Sequence, residues 1–487
     1  AGVGALIRYN FLLKNTVIDE PYENMPAAEV GLKKGDVILA IGDSSMVGKD
    51  VAYVSNHLRG DAGTTFILTV QRPSVNKKMK FKITRRAIQL PAVPYYGVQD
   101  GGVGYLNLNS FTTGCAKDVR RAFLDMKKQG MTSLVFDLRN NGGGSLQEAV
   151  NIVNMFVPKG ITLVKTVGKM DRANNEYKTT VEPIDTLMPI VVLVNDESAS
   201  ASEITSGSLQ DLDRAVVLGT RTYGKGLVQV SMDLPYNGNL KLTSSKYYIP
   251  SGRCIQAINY KHGNGGYTEH VPDSLTRVFH TANGRVVRDG GGIKPDVEVR
   301  PDSLPNIAFY LASSGRDSTE VMWNWELQYL KKHPTIGPAK TFVISDADFE
   351  DFKQAVLKSG FKYDRESKKY LENLVKLAKF EGYYDDAKGE FDALEKKLNH
   401  NLAKDLDYNK QTLKKVLTSD LVSAYYYQKG SLENSLQFDK QWKKAVEILK
   451  NPAEYKKLLQ PVVGQPLVKL EPASNVAVDK KQKSKAK

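Results

Sequence analysis

The sequence predicts a multidomain α/β chain in three stretches. These are a small β-rich domain over residues 1–88, an α/β core over 89–302 and a mainly α-helical domain over 303–465. Three observations predict it. Short alternating runs bounded by glycine and proline fill the first stretch. From Gly102 onward, apolar strands alternate with amphipathic helical segments, the order of an α/β core. After about Asp302 glycine becomes rare, and lysine, leucine and tyrosine dominate at helical spacing. A length of 487 residues fits two to four domains.

Composition narrows the function classes. The net charge is +14 and the pI about 9.3, which favours acidic partners such as an anionic membrane or cell-wall surface. It does not imply nucleic-acid binding, because no basic stripe is interleaved with aromatics. No run of 18 apolar residues is present, and no signal segment is visible. The two cysteines, Cys115 and Cys254, are too few for a disulfide scaffold. With no CxxC spacing and no HExxH cluster among the six histidines, no metal or cofactor is expected.

In the first stretch, Ala1 to Ile7 is a glycine-rich loop running into a strand. Asn24 to Leu32 is a short helical turn, Lys33 to Ile41 a turn plus strand, and Val51 to Leu58 a short helix. Thr65 to Arg72 and Met79 to Thr84 are alternating strands. The residues from Pro26 to Gly42 spell PAAxxGLxxGDxIxxIG, which resembles a PDZ domain. The resemblance implies that Gly2, Val3, Gly4 and Ala5 form a carboxylate-binding loop, where successive backbone N–H groups make an anion nest. It also implies an N-terminally truncated chain, since a PDZ domain usually has sequence before this loop.

Pro91 to Pro94 is a proline-bounded linker. In the core, Val103 to Leu108, Thr132 to Leu138, Val191 to Val194 and Ala215 to Leu218 read as strands. Ala116 to Gln129, Leu146 to Phe156 and Glu203 to about Leu212 read as helices. Between one strand and helix lies Asp137-Leu138-Arg139-Asn140-Asn141-Gly142-Gly143-Gly144, a set of aimed backbone donors that fits a phosphate cradle or an oxyanion hole. Gly219 to Lys225 matches GxxxxGK, but Gly226 follows where a P-loop needs Ser or Thr, and LVQV then favours a strand. Nucleotide binding is therefore not expected. Gly263 to Gly290 reads as a loop-rich insertion.

In the last stretch Phe349–Lys358, Ser367–Phe380, Ala387–Leu402 and Leu432–Lys450 show helical spacing. The run Tyr425-Tyr426-Tyr427 reads as helix packing rather than a binding box. Residues 466–487, ending in KKQKSKAK, read as a disordered basic tail.

The chemistry centres on Val191 to Val230. A serine at a strand-to-helix turn, with Ser198, Ser200 and Ser202 as candidates, precedes Lys225, the parts of a Ser–Lys dyad. Ser200 and Glu203 also spell S-x-x-E, so Ser200 has a plain structural alternative as a helix cap. Lys225 lies between two glycines that let the backbone pass tightly. In a regular strand, positions 225, 227 and 229 would share a side, placing Gln229 to orient the amine.

The blocks NDESASASE, TYGKGLVQ, YYIPSGRCIQ and GGIKPDVEV, in that order after NNGGG and a PDZ-like domain, resemble the carboxyl-terminal processing peptidases (tail-specific proteases, serine peptidase family S41). The resemblance runs from Ala1 to about Val299. It implies a crotonase/ClpP-like core, Ser200 as nucleophile, Lys225 as general base, Gln229 as its support, and the N–H groups of Gly143 and Ala201 as oxyanion donors. Arg72 is the match for an arginine that couples the PDZ domain to activation in some members. The implied activity is ATP-independent endoproteolysis near free C-terminal tails of protein or peptide substrates, in a periplasm or other cell-envelope compartment. The family's use of its N-terminal segment for dimerisation keeps a homo-oligomer in view. Three departures stand out: Gly142 replaces the family's usual proline, Cys254 stands where SGRSIQ is common, and the long helical stretch after residue 302 lies outside the resemblance. Competing readings are a catalytically silent PDZ adaptor and a crotonase-like acyl-CoA enzyme.

Overall fold

A computed structural model of the chain describes residues 1–257, 272–313, 317–398 and 401–461. The expected basic tail and part of the 263–290 insertion lie outside these. The chain forms two compact units: residues 1–97 with 299–444, and residues 98–298 with the segment from 445 onward.

In the first unit, β1 (Ala5–Asn10), β2 (Asn15–Pro21), β3 (Val37–Ile41), β4 (Ser44–Ser45), β5 (Thr65–Arg72) and β6 (Lys77–Thr84) form a sheet with helices α1 (Pro26–Glu29) and α2 (Val51–Leu58). The sheet order is β1-β2-β3-β5-β6, with β4 on β3, so β1 is an edge strand. Helix α2 packs beside β1. It starts at Asp50, whose side chain accepts the Tyr53 N–H at 2.7 Å. Ile18, Ile38, Met46, Val54, Leu68, Val70 and Ile83 fill the core beneath.

The second unit is built on a six-stranded sheet, order β18-β13-β12-β9-β8-β7, made of β7 (Tyr95–Gln99), β8 (Val103–Asn107), β9 (Ser133–Asp137), β12 (Ile190–Val194), β13 (Val216–Gly219) and β18 (Val297–Glu298). The pairs β8–β9, β9–β12, β12–β13 and β13–β18 are parallel. Every residue of β9 and β12 is buried, as continuous apolar runs covered on both faces require. The helices α3 (Cys115–Lys128), α4 (Leu146–Val153) and α5 (Ala201–Asp211) cross between them. A second sheet, β11-β10-β15-β14, contains β10 (Thr162–Gly168), β11 (Asn175–Lys178), β14 (Leu227–Leu234) and β15 (Gly238–Tyr248); β16 (Val278–His280) pairs with β17 (Val286–Arg288).

The last stretch holds α6 (Asn306–Ala312), α7 (Val321–Lys332), α8 (Asp346–Lys358), α9 (Glu366–Glu381), α10 (Lys388–Leu398), α11 (Leu402–Tyr408), α12 (Lys410–Ser435), α13 (Lys440–Leu449) and α14 (Pro452–Leu458). Two expected helices are divided. The 387–402 helix ends with α10, and α11 restarts at Asn401, which caps the Lys404 N–H at 2.8 Å. The 432–450 helix is the end of α12 plus α13; Asp439 accepts the N–H groups of Gln441 and Trp442 at 2.8 and 3.0 Å and opens a new helix. Tyr425 and Tyr426 pack as expected, donating to the carbonyls of His333 and Ile336. Tyr427 breaks α12 with φ 57° and ψ −171°.

Within the first unit, Trp323 on α7 joins the sheet to the helices. Arg8 stacks 4.5 Å and Lys34 4.6 Å from its ring centroid. Arg8 pairs with Glu320, while Lys34 lies 3.1 Å from Glu326 and 3.6 Å from Asp19. In the second unit Tyr455 of α14 hydrogen-bonds both the N–H and the carbonyl of Ile190, at 3.0 and 3.1 Å, tying that helix to β12. No helix among the described residues is long and apolar enough to cross a membrane.

Candidate active site

Three loops build the site, and each leaves the carboxyl end of one of three neighbouring parallel strands, β9, β12 and β13. That edge is where open parallel sheets place their ligands. The loops carry Asn140–Gly144, Ser198–Ser200 and Thr222–Lys225.

Ser200 is the residue before α5. Its backbone is held at φ +56° and ψ −111°, a conformation that costs a non-glycine residue about 1–3 kcal/mol and persists only where the surroundings impose it. The turn leaves Ser200 half-buried at the positive end of the helix dipole. Its neighbours are spent elsewhere. Ser198 is fully buried and donates to the Leu138 carbonyl at 2.8 Å; Ser202 is fully buried and donates to the Asn141 carbonyl at 2.7 Å. Both serines therefore hold the glycine loop, and among the three candidates Ser200 alone stays open.

What imposes the turn is Glu203. It is fully buried, and its carboxylate accepts four hydrogen bonds. One oxygen takes the Thr222 hydroxyl at 2.5 Å and the Gly224 N–H at 2.6 Å; the other takes the N–H groups of Ser200 and Lys225, each at 2.9 Å. Burial pushes the carboxyl above its ordinary range, and the four donors oppose that shift. Tyr247 makes the matching tether on the carbonyl side. Its buried hydroxyl donates to the Lys225 carbonyl and lies 3.3 Å from the Ser200 carbonyl. Burial, reinforced by Glu203 and Cys254, raises its pKa well above the phenolic range and keeps it a donor. The backbones of Ser200 and Lys225 are thus fixed to each other on both sides.

The glycines flanking Lys225 are needed for close approach. A Cβ on Gly224 would lie 2.3 Å from the Ala257 Cβ, and one on Gly226 would lie 2.8 Å from the Gln256 N. Lys225 itself is half-buried, and its amine makes no hydrogen bond to Ser200 in this structure. The blocks that carry the resemblance acquire physical roles. Arg253 of SGRCIQ is buried and donates to Gln210 and Asp211 at the end of α5, both at 2.8 Å, while Gln256 accepts the Gly226 N–H at 2.6 Å. In GGIKPDVEV, the Ile293 N–H donates to the Thr222 hydroxyl at 2.7 Å.

Gly143 packs directly on the nucleophile turn. A Cβ there would lie 2.6 Å from the Ala199 oxygen and 2.9 Å from both the Ala201 N and the Ser200 Cβ. Gly143 and Ala201 are therefore adjacent, and Ala201, at the first position of α5, carries an N–H that helix geometry leaves without an intrahelical partner. The Gly143 N–H, however, is engaged: it donates to Asn141 Oδ1 at 2.9 Å.

One expectation meets a different geometry. Strand β14 begins at Leu227, and a bulge between Val228 and Gln229 breaks the two-residue alternation. The shared side expected for 225, 227 and 229 is lost, and Gln229 is exposed opposite Thr243. Arg72 is bound inside its own sheet domain, donating to both Asp36 oxygens and the Gly31 carbonyl at 2.7 Å. The Gly2–Ala5 loop enters edge strand β1; Gly4 sits at φ +73°, where a Cβ would lie 2.4 Å from the Met25 Cβ. Sequence reasoning missed the hub role of Glu203, Thr222 and Tyr247, and the Asn141 bond. Only S-x-x-E pointed to any of them.

Residues 102–263 match the family model described as peptidase family S41, residues 17–72 a PDZ domain, and residues 310–449 a probable PDZ-protease, C-terminal helical domain. Among curated relatives, a carboxy-terminal-processing protease of Bartonella bacilliformis is 38% identical over 49% of this chain and 55% of its own length. A probable CtpA-like serine protease of Staphylococcus epidermidis is 34% identical over 51% of this chain and 48% of its own. The chain thus spans about half the length of these relatives. Among solved structures, a photosystem II D1 C-terminal processing protease is 28% identical, with a TM-score of 0.34 over 62% of this chain and 73% of that one.

Proposed function

From a chain that carries a peptidase family S41 domain, a PDZ domain and a C-terminal helical domain, we propose an ATP-independent serine endopeptidase that cleaves proteins near C-terminal tails held by the PDZ domain. One observation carries the reading. A strained serine at a helix N-terminus is locked by a single buried carboxylate to the backbone of a lysine 25 positions later. In this mechanism Lys225, neutral, takes the proton as Ser200 Oγ attacks the scissile carbonyl. The N–H groups of Gly143 and Ala201 stabilise the oxyanion. The amine fragment leaves with a proton, and water hydrolyses the acyl-enzyme.

Tail recognition is supported by the first unit. Edge strand β1 faces α2, the arrangement in which an extended peptide adds to a sheet. The N–H groups of Val3 and Gly4 have no backbone acceptor among the described residues, and they would receive a terminal carboxylate. The same reading places the protein in a bacterial cell envelope, where a charge of +14 suits anionic surfaces.

The test incubates wild type, Ser200→Ala and Lys225→Ala with an unstructured protein whose C-terminus is free or amidated. The reading expects cleavage by wild type alone and preference for the free tail. Unchanged cleavage in both variants would sink the dyad. Equal cleavage of the two tails would sink carboxylate recognition, and thioester turnover without proteolysis would move the chain to acyl-CoA chemistry.

A further inference from the structure

One side chain beside the site does something that neither the nucleophile nor the base requires. Asn141 is fully buried in the turn after β9, and all its polar atoms beyond its own N–H work at short range. Its Nδ2 donates to the Leu108 carbonyl at 2.7 Å. Its main-chain carbonyl accepts the Ser202 hydroxyl at 2.7 Å and the Ala199 N–H at 3.0 Å. Its Oδ1 accepts the Gly143 N–H at 2.9 Å. That amide is the one expected to face the oxyanion. An N–H pointing at Asn141 inside its own loop does not also point at an oxygen in front of Ser200 with good geometry.

The loop is anchored on both sides of one peptide plane. Upstream, Asn141 is fixed by the contacts above. Downstream, the Gly143 carbonyl accepts the Phe111 N–H at 3.0 Å, and the Ser145 N–H donates to the Phe111 carbonyl at 2.8 Å. Between these anchors stands the Gly142–Gly143 peptide. Gly142 is exposed, a Cβ on it would meet nothing within 4 Å, and its carbonyl accepts no hydrogen bond among the described residues. Gly143 sits at φ +98°, which glycine alone occupies without penalty. Turning this one peptide over breaks a single hydrogen bond, the one to Asn141. Glycine at both 142 and 143 leaves the two torsions that flank the plane, ψ of Gly142 and φ of Gly143, free of any side-chain restriction.

We propose that Asn141 is the latch of the oxyanion hole. Its Oδ1 stands in for the substrate oxygen and holds the Gly143 N–H in the resting site. An acyl group arriving at Ser200 competes for that N–H, and the Gly142–Gly143 peptide rotates to supply it. Asn141 is a positioning residue that acts through Gly143. The proposal rests on the serine-peptidase reading of the site.

The test measures the second-order rate at which a small fluorophosphonate probe modifies Ser200 in the full chain, with fluoride leaving as the Oγ–P bond forms. Such a probe needs no tail recognition. Asn141→Ala and Asn141→Asp both lose the donor to Leu108; they differ in keeping an acceptor for Gly143. Loss of one oxyanion donor costs roughly 10²–10³ in rate, so a latch of part of that strength makes Asn141→Ala about tenfold faster than Asn141→Asp, and no slower than wild type. Equal rates in the two variants, or a faster Asp variant, overturn the proposal. Should Asn141→Ala fail to fold by thermal melt, the ratio of Asn141→Asp to wild type decides. The latch expects a ratio below one at neutral pH that climbs towards one as the new carboxylate protonates; a ratio flat with pH overturns it. If wild type and both variants remain unmodified at Ser200, with Ser200→Ala as the blank, the nucleophile reading itself falls and the latch with it.

Discussion

Replacing Glu203 by glutamine tests whether the buried carboxylate sets the placement of Ser200 relative to Lys225. The change is nearly isosteric, and its effect follows from the hydrogen-bond count. Each carboxylate oxygen accepts two donors, one pair being the Thr222 hydroxyl and Gly224 N–H, the other the N–H groups of Ser200 and Lys225. A carboxamide offers one oxygen, so one pair keeps its acceptor and the other meets an NH2 group. Leaving a buried donor unsatisfied costs about 1–3 kcal/mol, so two orphaned donors put about 2–6 kcal/mol into the site. Removing a buried charge returns part of this, because burial alone disfavours the ionised form. The remainder is released by letting the Ser200 and Lys225 loops separate. A displacement near 1 Å between reacting groups costs about a hundredfold, so kcat falls by about that factor, while KM stays within about twofold because Glu203 is fully buried. The assay is steady-state cleavage of a fluorogenic peptide with a free C-terminus, alongside a thermal melt. A Glu203→Gln protein that melts lower but turns over at the wild-type rate would refute the tether, since the carboxylate would then be structural only.

The other tether and the loop give independent tests. Tyr247→Phe removes only the hydroxyl that serves the Lys225 and Ser200 carbonyls; it is expected to cost about 1–3 kcal/mol in denaturant unfolding and to lower kcat with KM unchanged. Gly143→Ala places a Cβ 2.6 Å from a backbone oxygen at φ +98°; circular dichroism should show a folded chain destabilised by at least ~1 kcal/mol, with Ser200 labelling reduced by about a hundredfold or more. In the first unit, burial and the neighbouring Asp420 raise Glu326 to about 8, against the pull of Lys34. A carboxyl whose folded pKa is raised binds its proton more tightly in the native state, so its contribution is complete below the unfolded value and fades as pH rises through the folded one. Melts between pH 5 and 8 should therefore lose up to ~1.4 kcal/mol per pH unit from this group, and Glu326→Gln should flatten that slope.

Much of the fold was legible because burial writes itself into local pattern. Strand β12 reads as IVVLV since all five of its residues are buried, and β5 alternates since one face of its sheet packs on the core. Helix ends were less legible. The restarts at Asn401 and Asp439 rest on a single capping side chain inside an otherwise continuous apolar spacing, and periodicity averages over one residue. The bulge before Gln229 escaped for the same reason: one extra residue inverts every later side-chain direction and leaves the composition of the strand unchanged.

The site divides along a similar line. Local sequence offered three serines and a lysine between two glycines, and only the resemblance singled out Ser200; the burial of Ser198 and Ser202 is a tertiary fact that no local pattern carries. Glu203 was visible only through its near partner, the Ser200 N–H three positions back. Its far partners, Thr222, Gly224 and Lys225, come from the next strand's loop, and Tyr247 comes from another sheet, so no spacing in the chain announces them. The groups that would do chemistry contribute little to holding one another, since the Lys225 amine and the Ser200 hydroxyl share no bond at rest. Their spacing is set by buried groups that never touch a substrate. On the proposed reading, substitutions at Glu203, Tyr247 and Asn141 change how often Ser200, Lys225 and the Gly143 amide are brought into place, while Ser200 and Lys225 carry the chemistry.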